Sequence, residues 1–95
     1  MKPLNFAILD YMTTVPEACA EEVVAALRPA YGSFRALNVK AVRTALLTAT
    51  VNGLLEESRC ELDEAQNLRL YFRAHPEGAA TIVKYTGGPL SRPVD

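Results

Sequence analysis

The feature that most constrains this chain is a change of hydrophobic period at Gly53. Before it, apolar residues recur at helical spacing. Val39, Val42, Leu46 and Ala49, with Ala45 beside them, form one stripe. After it, Leu68, Leu70, Phe72 and Ala74 alternate strictly with Arg69, Tyr71 and Arg73. A 3.6-residue repeat lays one face of a helix on a core, and a two-residue repeat does the same for a strand. The chain therefore predicts helices first and a hairpin after them.

The expected elements follow from this switch. Pro3 suits a first helical turn, and a helix is expected from about Leu4 to Thr14, with Leu4, Ile8, Leu9 and Met12 inward. Thr13-Thr14-Val15-Pro16 ends it. Glu17-Ala18-Cys19 reads as a short bridge. A second helix is expected from about Ala20, with Ala20, Val23, Val24 and Leu27 as its buried stripe. Glu21 and Glu22 suit its positive end and Arg28 its last turn, with Pro29 as the stop. Residues 29–37 form a connector that Tyr31, Phe34 and Leu37 pack onto the core. Asn38 caps a third helix running to about Asn52, and Gly53 stops it. Two strands, 54–62 and 68–74, flank a turn at 63–67. Pro76 opens a last helix, in which Ala79, Ile82, Val83 and Tyr85 are expected to pack, and Gly87-Gly88-Pro89 ends it. The expected core is Ile8, Leu9, Met12, Val23, Val24, Leu27, Val42, Leu46, Leu54, Leu70, Phe72 and Ile82.

With 95 residues, 49% of them apolar and 22% charged, the chain has the composition of one globular domain with one modest core. That domain is expected over residues 1–88, with a frayed tail at 89–95. Asp10 breaks the first apolar stretch, so no signal-peptide core is read there. No apolar run approaches the roughly 20 residues of a membrane span, and no membrane partner is expected. Cys19 and Cys60 form no CxxC pair. Inert thiols and a redox switch are both open readings, and the expected compartment is the reducing cytoplasm.

Two stretches carry a family resemblance. Val42 to Leu55, ending Asn52-Gly53-Leu54-Leu55-Glu56, resembles the third helix of the winged-helix superfamily and its exit into the wing. Tyr71-Phe72-Arg73-Ala74-His75-Pro76-Glu77-Gly78 resembles that superfamily's return from the second wing strand into a helix, with His75 where a hydroxyl residue usually stands. Over roughly residues 4–86 the chain is similar to small bacterial MarR-like and PadR-like regulators. The resemblance implies a mostly α fold with a small antiparallel hairpin (α+β): a three-helix core, a wing and a C-terminal helix. It implies a DNA-binding transcriptional regulator with its third helix, 38–53, in the major groove of double-stranded DNA.

Charge is segregated in a way that bears on this. Between Glu22 and Glu56 there is no acid, while Arg28, Arg35, Lys40 and Arg43 give that stretch a net +4. Arg35, Asn38, Lys40, Arg43, Thr44 and Thr48 are the expected DNA-binding residues, the cations for phosphates and the threonines for bases. The wing opposes this. Glu56, Glu57, Glu61, Asp63 and Glu64 stand against Arg59 alone over residues 55–67, a net −4. Arg59, Arg69 and Arg73 are open to two roles, cross-strand pairs with those acids or contacts with nucleic acid. Overall the chain carries a net charge of −1, unlike the usual basic nucleic-acid binder.

Catalysis has little to work with. His75 is the only histidine, and its place before Pro76 suits a helix cap. No HExxH, phosphate-binding glycine loop or nucleophile elbow is present, so no enzyme activity, cofactor or metal is expected. Leu47 and Val51 lie off the inward stripe, either packed on the hairpin or available for self-association. A homodimer is expected if symmetric DNA sites are read. The competing functional class is a winged-helix module that binds protein through the acidic wing and the Leu47/Val51 face.

Overall fold

The computed structural model describes residues 2–87. The expected tail at 89–95, and the Gly88-Pro89 part of the last stop, lie outside the described residues. Four helices and three strands follow one another as α1 (Leu4–Met12), β1 (Ala18–Cys19), α2 (Ala20–Tyr31), α3 (Val39–Val51), β2 (Glu56–Leu62), β3 (Leu68–Arg73) and α4 (Pro76–Thr86). The strands form one antiparallel sheet in the order β1-β3-β2.

The core lies where the helical stripes meet the inner face of β3. Phe72, Met12, Leu46, Ile82, Val23 and Val42 are all completely buried. Leu9, Leu27, Leu54 and Leu70 pack against this cluster and are partly buried. At the exit from α3, Leu55 is the more deeply buried of the two leucines. Gly53 adopts φ +80°, the left-handed conformation that lets the chain leave α3 sharply.

Four expectations need correction. Glu17-Ala18-Cys19 is not a mere bridge. Ala18 and Cys19 pair with Phe72 and Tyr71 and cover the free edge of β3. A two-residue strand buried at both positions has no alternation to read. Secondly, α1 stops at Met12, because the Thr13 and Thr14 hydroxyls donate back to the carbonyls of Asp10 and Tyr11.

Thirdly, α2 runs through Pro29 to Tyr31. Proline deprives the Ala25 carbonyl of its helical partner, but Ala25 is exposed, where water replaces it. The extra turn buries Tyr31, whose hydroxyl donates to the Lys2 carbonyl at 2.6 Å. The connector is correspondingly short. Leu37 packs inward, whereas Phe34 is half exposed and rests edge-on against Tyr31.

Finally, several apolar side chains face outward. Leu47 and Val51 are 42% and 85% exposed and do not pack on the hairpin. Leu68, Val83 and Tyr85 are exposed too. Tyr71, on the expected outer face of β3, is instead buried, under the Arg59 guanidinium 3.8 Å from its ring centre. A bulge explains this placement. Glu57 pairs with Phe72 and Arg59 with Tyr71, leaving Ser58 as an extra residue. Ser58 and Arg59 both donate to the Glu17 carboxylate, at 2.8 and 2.7 Å. Those hydrogen bonds, from Ser58 first and Arg59 second, hold the Glu17 carboxyl below its usual range.

Candidate nucleic-acid interface

The outer surface of α3 follows from its inner one. Val42, Leu46 and Ala49 are buried, so the opposite ridge carries Lys40, Thr44, Leu47 and Val51, at i, i+4, i+7 and i+11. All four are exposed. Arg43 flanks the ridge on one side and Thr48 on the other. On the Thr48 side, Thr44 and Thr48 border an open groove of about 600 Å³ between α1, α3 and α4, whose walls include Phe6, Leu9, Ala45 and Tyr85.

The expected DNA-binding residues fall into two groups. Arg35, Lys40, Thr44 and Thr48 are exposed, and neither Arg35 nor Lys40 forms an ion pair among the described residues. Asn38 and Arg43 are engaged inside the protein. The Asn38 side chain accepts from the Ala41 N–H at 2.8 Å and donates to the Arg35 carbonyl at 2.9 Å. It caps α3 and pins the connector to it. The Arg43 guanidinium lies 3.7 Å from the Glu21 carboxylate on α2, with both side chains more than a third exposed. The Thr44 hydroxyl donates to the Lys40 carbonyl at 3.1 Å.

On the β2–β3 hairpin each arginine has a carboxylate partner, and the Arg73–Glu56 pair crosses between the strands. Arg73 meets Glu56 at 2.5 Å, and Arg59 bridges Glu17 and Glu61. These carboxylates raise the Arg59 pKa further, the Glu17 hydrogen bond contributing most. Arg69 lies 4.0 Å from Asp63. Asp63 also accepts the N–H groups of Ala65 and Asn67 in the turn. Those bonds, Asn67 foremost, hold its carboxyl below the usual range. Pairing therefore redistributes the field. Glu57 and Glu64 are the hairpin acids without an ion pair among the described residues, whereas Arg28, Arg35 and Lys40 are unpaired around the α2–α3 corner.

Residues outside this face have structural places. His75 caps α4: its Nδ1 accepts the Gly78 N–H at 3.0 Å, and its Nε2 lies 3.1 Å from the Gly53 carbonyl oxygen. Cys19 is the N-cap residue of α2, and burial raises its thiol pKa, which disfavours the reactive thiolate. Cys60 is exposed on β2, and both cysteines are free. No group of three metal-ligating side chains occurs among the described residues. No helix among them is long and apolar enough to cross a membrane.

Sequence reasoning gave Leu47 and Val51 to the competing protein-binding face and left them out of the DNA-contacting set. The signal was present, since both share the Lys40–Thr44 ridge at helical spacing. Comparison of the chain with protein-family models, curated proteins and solved structures finds no match.

Proposed function

We propose that this chain is a winged-helix DNA-binding protein, a cytoplasmic transcriptional regulator that acts as a homodimer and sets α3 into the major groove of duplex DNA. The observation that carries the reading is the charge left after ion pairing. Arg28, Arg35 and Lys40, unpaired among the described residues, belong to the last turns of α2, the connector and the first turn of α3. The wing arginines are tied to carboxylates. Unpaired cations beside an exposed helix ridge suit phosphates flanking a groove. The order of three helices, a hairpin and a closing helix supports the same reading.

Fluorescence anisotropy with a mixed-sequence duplex tests it, at about 50 and about 150 mM salt. Affinity should fall with salt. An Arg35→Ala, Lys40→Ala double variant should lose up to about two units of slope in log affinity against log salt, because each phosphate contact supplies a little under one. Absence of salt-sensitive binding at the lower salt would sink the reading.

A second reading, a protein-binding module, is favoured by one observation, the exposure of Leu47 and Val51. Apolar docking of that kind should persist at the higher salt, where phosphate binding weakens.

A further inference from the structure

Resting on the DNA-binding reading, we propose that the α3 ridge recognises thymine methyl groups, so that the preferred duplex is A·T-rich in the segment facing Thr44, Leu47 and Val51. The argument begins with what this ridge lacks. Reading guanine or cytosine edges takes free donors or acceptors at the helix surface, typically a guanidinium, an amide or a carboxylate. The Asn38 amide is occupied at both ends by backbone groups. The Arg43 guanidinium faces Glu21. No acid lies on α3. Lys40 remains, at the first turn where the phosphate-facing corner also begins, with the Thr48 hydroxyl beside the ridge, a group that does not distinguish among bases.

What the ridge does present is hydrocarbon. The Thr44 hydroxyl turns back to the Lys40 carbonyl, which leaves its methyl group for the outside. Leu47 and Val51 follow on the same line, the latter 85% exposed. In the major groove the one apolar mark on a base pair is the C5-methyl of thymine, and apolar side chains are its natural contacts. Lys40 at the head of this strip, and Arg35, whose carbonyl the Asn38 cap holds, supply the charge complementarity that a phosphate-lined groove needs.

The test compares two alternating duplex polymers, poly(dA-dT) and poly(dA-dU), which differ only in that methyl group. Binding is followed by anisotropy competition at low salt. Each methyl buried should be worth about fourfold in affinity, so two or three contacts should favour the thymine polymer by about fifteen- to sixty-fold. In a Leu47→Ala, Val51→Ala variant the preference should collapse towards the single Thr44 contact while the salt slope stays unchanged. Both residues are exposed, and circular dichroism checks that the variant is folded. Equal affinity for the two polymers overturns the methyl reading and leaves DNA binding standing. An unchanged preference in the double variant overturns the assignment to Leu47 and Val51. Failure to bind either polymer overturns the DNA-binding reading itself and turns the ridge over to a protein partner.

Discussion

Gly78 is the position where a single carbon atom should do most damage. It lies in the first turn of α4, against the chain leaving α3. A Cβ built there would stand 2.1 Å from the Leu54 carbonyl oxygen and 2.8 Å from its carbon. The obstacle is backbone and cannot rotate away. Ordinary contact begins near 3.4 Å, so the start of α4 must retreat from the α3–β2 junction. That retreat pulls on the His75 cap, whose ring holds the Gly78 N–H and reaches the Gly53 carbonyl. It also loosens Ile82, one turn on and completely buried. Overpacking costs about 1–3 kcal/mol when side chains can adjust. With backbone on one side and a cap on the other, Gly78→Ala should cost about 3 kcal/mol. For a domain of this size each kcal/mol lowers Tm by about 4–8 °C, so the midpoint should drop by about 12–24 °C. Thermal unfolding followed by circular dichroism measures it. A Tm within about 4 °C of the parent would mean that α4 does not approach Leu54 this closely, and the packing argument would fail.

Three further perturbations probe other parts of the fold. Leu46→Ala, at a completely buried site, should cost about 2–5 kcal/mol in urea unfolding, and an unchanged midpoint would place Leu46 outside the core. The Asp10 side chain is 6% exposed and takes the Lys2 ammonium at 2.5 Å and the Thr86 hydroxyl, so Asp10→Ala should cost about 2–3 kcal/mol, as for hydrogen bonds to a charged group, and speed amide exchange at the end of α4; parental exchange rates there would refute the clamp. The Asp63 carboxyl should titrate below the ordinary aspartate value in a carbon NMR titration, because turn N–H groups favour its charged form. Its stabilisation is then complete above the unfolded-state value of about 3.9 and lost as pH falls through the lower folded value. A titration at or above the ordinary value would contradict the hydrogen bonding of the turn.

How much of this was legible beforehand depended on the kind of signal. Helical stripes such as Val42–Leu46–Ala49 were readable because each repeats over several turns. The His75 cap was readable because Pro76 marks the first helical turn. Ala18–Cys19 was not, since pairing of two residues depends on an edge offered by β3, more than fifty positions away. The continuation past Pro29 escaped for a related reason: burial of Tyr31 is a tertiary gain that local preference does not contain. At the candidate site, charge segregation was visible in the chain. The pairing of Arg43 with Glu21, and of the hairpin arginines with Glu17, Glu56 and Asp63, required the fold. The place of Leu47 and Val51 off the inward stripe was legible, but whether they met the hairpin or solvent required the fold too.

The bulge at Ser58 bears on how this hairpin can change length over evolutionary time. Ser58 has no partner on β3, while Arg59, Cys60, Glu61 and Leu62 each have one. Loss of its codon would close the ladder and leave those four pairs in register. Loss of the Cys60 codon would instead slide Glu61 into the place opposite Leu70, exchanging the sides on which Glu61 and Leu62 project. Deletions in related chains should therefore gather at the Glu57–Ser58 step, and hairpins shortened there should run straighter and give up the Ser58 hydrogen bond to Glu17 while Arg59 keeps its own.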